Sequence, residues 1–121
     1  MAKHGEYTHI EVPFDDEERA KRFDAAVFGW TFTTLPGFEG YSMISAGPGN
    51  LTAGLGRRGV TAPPAIRNYL EVDDVDASTA VIAANGGSVQ VAKTDIGNGW
   101  YAAVTDSEGN EFGIYQSKPK G

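Results

Sequence analysis

The sequence predicts an α+β protein of two βαβββ modules, with eight strands and two main helices, because three features repeat in step. An Asp-Asp pair opens each copy, at Asp15-Asp16 and Asp73-Asp74, and a glycine comes fourteen residues after the first Asp in both, at Gly29 and Gly87. A short alternating stretch precedes each pair, YTHIEV at 7–12 and RNYLEV at 67–72, and Gly-rich turns divide the remainder of each copy into short strands. The offset is 58 residues.

Strand 7–12 leads into a helix whose start is marked by Asp15 with Glu18 three residues on, an Asp form of the capping box. Ala20, Phe23, Ala26, Val27 and Trp30 recur at helical spacing as its expected buried stripe, and Gly29 ends it. Strands at about 31–35, 40–46 and 51–57 are divided by the PGFEG and GPGN turns. In the second copy, strand 67–72 precedes a helix opened by Asp73 and Asp76 and carrying a weaker stripe of Val75, Thr79, Ile82 and Ala83. Asn85-Gly86-Gly87 terminates that helix, and strands at 88–94, 99–105 and 111–116 complete the copy. Module one therefore covers about 6–58, a Pro-containing linker 59–65, and module two about 66–117 of a single domain.

Composition narrows the chemistry. A chain of 121 residues with 40% hydrophobic and 21% charged residues can build a core without staples, and its lack of cysteine removes disulfides, thiol nucleophiles and thiolate metal sites. Ten basic against sixteen acidic residues leave a net charge of −6, which opposes nucleic acid as a partner. No apolar run exceeds five residues (80–84), far below the ~20 of a membrane span, and MAKHGEYTH lacks the apolar stretch of a signal peptide. A cytoplasmic protein with no membrane partner is expected. Gly54 to Gly59 spells G-x-G-x-x-G, but Pro63-Pro64 stands where a dinucleotide site needs a helix N-terminus.

Strand parity assigns faces. A βαβββ unit covers one face of its sheet with the helix, so Ile10 and Val12 should lie under the first helix and leave Tyr7, His9 and Glu11 on the open face. In the second strand of this kind Leu70 and Val72 go under the helix, which leaves Arg67, Tyr69 and Glu71 open. Glu111 joins the open set by the same parity. Two curved sheets with such faces side by side would enclose a cup lined by polar and aromatic groups.

The segments HIEVPFDDEERAKRFDAAVFGW (9–30), GYSMISAGPGN (40–50), AGLGRR (53–58), NYLEVDDVDAS (68–78), ANGGSV (84–89) and GWYAAVTDSEGNEFGIYQS (99–117) together resemble the vicinal oxygen chelate superfamily of glyoxalase I, bleomycin-resistance proteins and extradiol dioxygenases. The phrases VFGW, VDDVDA and D-x-E-G-N-x-F-G-I-Y-Q-S are most similar to its branch of uncharacterised proteins related to lactoylglutathione lyase. The resemblance implies a cupped, eight-stranded glyoxalase-like fold and a homodimer. In metal-using members a divalent ion is held by a His, a Glu, a second His and a second Glu. The resemblance puts the first on His9, the second His position on Arg67, the last Glu position on Gly113 and its counterpart near Ala53. Three of the four ligands are thus missing, and a guanidinium repels the cation that a lone pair would hold. Neither a metal nor another cofactor is expected.

What remains is a small-molecule site. His9, Glu11, Arg67, Tyr69 and Trp100 are the expected ligand contacts, with the Arg67 fork holding an anionic or electron-rich group and an aromatic holding the apolar body. His9 and Glu11 are the candidate catalytic residues, as a base near a carboxylate. The function expected is binding of a small organic molecule without the superfamily's metal. The alternative is a lyase, isomerase or dioxygenase-like enzyme of the same superfamily, metal-free or with an unorthodox metal site, and the residues leave open whether any reaction is catalysed.

Overall fold

The computed structural model describes residues 3–34, 36–37, 39–45 and 51–119. Its elements run β1 (Tyr7–Phe14), α1 (Glu17–Phe28), β2 (Thr31–Thr34), β3 (Tyr41–Ser45), β4 (Thr52–Arg57), β5 (Arg67–Glu71), α2 (Val75–Ala84), β6 (Ser88–Asp95), β7 (Gly99–Thr105) and β8 (Glu111–Ser117). Strand, helix and three strands succeed one another twice, as the repeat requires. The turn expected at 47–50 and the expected strand ends at 35 and 46 lie outside the described residues. No helix among the described residues is long and apolar enough to cross a membrane.

Both helices begin two residues after the first Asp of each pair. The Asp16 side chain accepts from Arg19 N at 3.1 Å and the Asp74 side chain from Ala77 N at 3.0 Å, so the second Asp is the N-cap in each copy. Asp15 instead pairs with Arg58 at 2.9 Å. Gly29 closes α1 in the left-handed conformation, φ 71°, with its N–H on Ala25 O.

The chain divides into two compact units, and their bounds differ from those of the repeat. Residues 9–67 form one unit, and residues 3–8 join residues 68–119 in the other. Backbone hydrogen bonds explain the exchange: Gly5 N donates to Glu71 O at 2.8 Å, Glu71 N to Glu6 O at 2.9 Å, and Asp73 N to His4 Nδ1 at 3.0 Å. The linker stays with the first unit because Val60, Thr61 and Ala62 N all donate to Arg57 O.

In the 9–67 unit the strands lie in the order β2-β3-β4-β1, with β1 parallel to β4 and the other pairs antiparallel. Its core gathers Phe14, Ile44, Ala53 and Leu55 with Ile10, Val12, Ala20, Trp30 and Phe32. Ile10 and Val12 are therefore on the helix side, as parity requires.

The expected α1 stripe is not what packs. Ala20 and Trp30 reach the core, but Phe23 and Val27 are 59% and 56% exposed, and the half-buried helix positions are Glu17, Ala20, Lys21 and Asp24. The helix is turned so that its apolar stripe flanks the core rather than covering it. Trp30 sits beyond the Gly29 cap, so the reversed chain, not the helical stripe, carries it inward. Lys21 spans from Glu17, at 3.0 Å, to the face of Phe32, and burial pushes the Asp24 carboxyl up.

In the 68–119 unit the order is β5-β8-β7-β6, with β5 parallel to β8. Val72, Val75, Ala102, Val104 and Ile114 form its core, and Ile82, Trp100 and Phe112 pack against it. Gln116 Oε1 accepts from Val75 N at 2.9 Å, which pins the start of α2 to β8.

One polar group on the helix side of the 9–67 unit has no visible reason to be there. Ser42 pairs with Leu55, is fully buried, and its Oγ finds no hydrogen-bond partner among the described residues. A desolvated hydroxyl without a partner costs about 1–3 kcal/mol. Ser42→Ala should therefore leave stability unchanged or raise it by about 1 kcal/mol in urea unfolding; a loss above that size would show that the hydroxyl is satisfied.

Candidate functional site

Parity on β1 puts His9 and Glu11 on the face away from α1, and the parallel register with β4 sets them beside Thr52 and Gly54. On β4 the helix-side residues are Ala53 and Leu55, and the alternate positions are Thr52, Gly54 and Gly56, with no side chain larger than threonine. That thinness makes room for Tyr41 from β3. A Cβ at position 54 would overlap the Tyr41 phenol, so the phenol end of the ring sits over the bare backbone of Gly54 and its hydroxyl reaches His9 and Glu11 on β1.

The result is a shared hydrogen-bond network. His9 Nδ1 lies 2.5 Å from Thr52 Oγ1, and His9 Nε2 lies 3.1 Å from both Glu11 Oε1 and Tyr41 Oη. Tyr41 Oη donates to Glu11 Oε1 at 3.1 Å. A carboxylate can only accept, and the phenol proton is already committed to it, so Nε2 carries the proton that faces Glu11. In the neutral ring Nδ1 is then the acceptor for the Thr52 hydroxyl. The His9 and Glu11 side chains keep only 21% and 15% of their exposure. Glu11 Oε1 receives two donors, while Oε2 is buried and has no partner among the described residues.

The other expected contacts are distributed differently. Arg67 opens β5 and is half-buried. Tyr69 pairs with Gly113 across β5 and β8, and its ring lies over that glycine as Tyr41 lies over Gly54. Tyr101 stands beside it, with ring centroids 6.3 Å apart. Trp100 is not on this face: it packs against the helix-side core of its unit, and Lys93 and Lys118 stand 5.0 and 5.1 Å from its ring centroid. The physical reason is parity, since Ala102 and Val104 on the same strand are core and Trp100 is two residues before them.

Glu71 is structural, accepting from Ser117 N and Oγ at 3.3 and 3.1 Å. Burial pushes the nearby Tyr115 phenol up, and the Glu71 charge adds to the effect. Glu111 opens β8. Ala53, where the resemblance put an acidic partner, faces the helix, and the residue registered with His9 is Thr52. Sequence reasoning missed Thr52, although the alternation in T-A-G-L-G-R would have placed it on the open face. The G-x-G of that stretch lies within β4.

Residues 7–47 match the family described as bleomycin resistance protein-like N-terminal. CFP32 of Mycobacterium bovis and of Mycobacterium tuberculosis, whose name places it provisionally among the glyoxylases, is 30% identical over 129 residues covering 97% of this chain and 49% of its own. The chain thus spans about half the length of these curated relatives. A glyoxylase-like domain-containing protein of Didymella fabae is 30% identical over 72% of this chain and 73% of its own length. Among solved structures, a methylmalonyl-CoA epimerase of Streptomyces coelicolor matches 97% of this chain and all of its own with a TM-score of 0.67 at 17% identity, a likeness of fold. Repeat, fold and relatives together define a glyoxylase-like domain. The chain belongs to the vicinal oxygen chelate superfamily, among its glyoxylase-like proteins.

The site makes the Tyr41–Gly54 contact testable. Gly54→Ala should cost about 1–3 kcal/mol, because the phenol must leave the sheet and release His9 and Glu11. The same substitution should cost far less in a Tyr41→Ala background, and additive losses in the unfolding cycle would show that the two residues do not share the contact.

Proposed function

We propose that this protein binds a small organic molecule at the open face built on β1, and does so without the superfamily's divalent metal. The observation that carries the proposal is the occupation of His9. Nδ1 is engaged by Thr52 and Nε2 by Glu11 and Tyr41, so neither nitrogen offers a lone pair to a cation without breaking the network. Thr52 stands registered with His9, and Arg67, at the second His position by the repeat, can donate but not ligate. This donor set does not fit a divalent ion.

The ligand proposed is partly apolar with an anionic or electron-rich group held by Arg67, with His9 and Glu11 as the polar wall. Support comes from the residue types: a forked cation suited to a carboxylate, beside a histidine and a glutamate that share one face of β1. Phenylacetate supplies both groups and serves as a probe. Its affinity should fall about ten- to a hundredfold in Arg67→Ala and less in Arg67→Lys, which keeps the charge and loses the fork. Indifference to Arg67→Ala, or one tightly held metal per chain lost in His9→Ala, would sink the reading.

A homodimer is proposed as the working state. Phe23, Val27 and Phe28 form an exposed apolar row on α1, with Phe28 5.0 Å from Trp30, and a second copy is the occupant that such a row fits. Sedimentation should give about twice the 12.8 kDa chain mass. Phe23→Asp with Val27→Asp should shift it to the monomer; a wild-type monomer at micromolar concentration would refute the pairing.

A further inference from the structure

We propose that Glu11 Oε2 is the ligand-selecting atom of the open face and that it takes an O–H or N–H donor, a hydroxyl or an ammonium, from the bound molecule. This rests on the small-molecule reading above and deepens it by naming the second group the ligand must carry. Every other polar atom around His9 has a partner inside the network. Thr52 Oγ1 meets Nδ1, and Nε2–H and Tyr41 O–H both converge on Glu11 Oε1. Glu11 Oε2 alone in this cluster is buried without a partner among the described residues. A carboxylate oxygen out of water and without a donor is unfavourable, and it has no proton to offer an acceptor. A ligand that brings a donor relieves that cost, whereas one that brings an ether or carbonyl oxygen adds a repulsion.

His9 and Tyr41 are positioning residues in this arrangement. By holding Oε1 from two sides they fix the rotation of the carboxylate and so fix where Oε2 points. The same two donors dictate what Glu11→Gln would do. His9 Nε2–H and Tyr41 O–H need an acceptor, so the amide oxygen takes the place of Oε1 and the NH₂ takes the place of Oε2. The contact atom then changes from acceptor to donor with almost no change of shape.

Mandelate and its O-methyl ether, α-methoxyphenylacetate, form a matched pair. Both carry the phenyl ring and the carboxylate, and only mandelate carries the hydroxyl proton. Titrated against the isotope-labelled chain and monitored by amide shifts on β1 and β4, mandelate should bind the wild type about tenfold or more tightly than the ether. In Glu11→Gln the preference should be lost, because an amide N–H can donate to the hydroxyl and the ether oxygen alike, with unchanged amide dispersion showing that the fold is kept. 2-Phenylglycine replaces the hydroxyl by an ammonium, and the tighter of the two donor-bearing acids identifies which donor is taken. Equal affinities of acid and ether in the wild type, unaltered by Glu11→Gln while both remain sensitive to Arg67→Ala, would overturn this inference and leave the small-molecule reading standing. No shift with any of the acids at tens of millimolar would overturn both.

Discussion

The open face of the 9–67 unit depends on Gly54 having no side chain, because the phenol of Tyr41 occupies the volume that a Cβ would need. Strand β4 lies between β1 and β3, so a tyrosine from β3 can reach β1 only by crossing it. With any larger residue at 54 the ring would stand off the sheet and its hydroxyl would miss His9 and Glu11. The close approach also desolvates the carboxylate, which strengthens the two hydrogen bonds it accepts and raises the penalty on the oxygen that accepts none. One missing methyl group thus sets the geometry of four side chains.

Much of the fold was legible because strand period and turn chemistry are local properties. Ile10 and Val12 under the helix, His9 and Glu11 opposite them, and all eight strands can be read from alternation between Gly-rich turns. Helix α1 was legible in extent but not in rotation. The spacing of Phe23, Val27 and Trp30 fits a helical face, yet which face meets the sheet is decided by what already fills it. Phe14, Phe32, Ile44 and Leu55 occupy the layer below α1, with Trp30 carried in past its cap, and the helix meets it with Ala20 and the methylene stem of Lys21.

Trp100 shows the limit in the opposite sense. Its strand, G-W-Y-A-A-V-T, has apolar residues at both parities, so alternation alone cannot choose a face, whereas the register places Trp100 in line with Ala102 and Val104. The site network was partly legible for a related reason. His9 and Glu11 lie on one strand and their shared face is set by parity, but Thr52 and Tyr41 come from strands 43 and 32 residues away and need the β1–β4 and β3–β4 registers to be brought in.

The two copies of the repeat share a packing device but not its chemistry. In both, a tyrosine ring lies on a strand glycine: Tyr41 on Gly54, Tyr69 on Gly113. In the first copy the tyrosine hydroxyl ends on a carboxylate and an imidazole, and a polar network results. In the second, the 58-residue offset carries His9 onto Arg67 and Glu11 onto Tyr69 itself, and the ring meets another aromatic, Tyr101. Glu71, the acid that the second copy does keep on its first strand, is spent on Ser117 and holds β5 to β8. The tyrosine-on-glycine contact therefore arises from different strands, β3 over β4 in the first copy and β5 over β8 in the second, while only the first copy sets a histidine and a glutamate two residues apart on its opening strand.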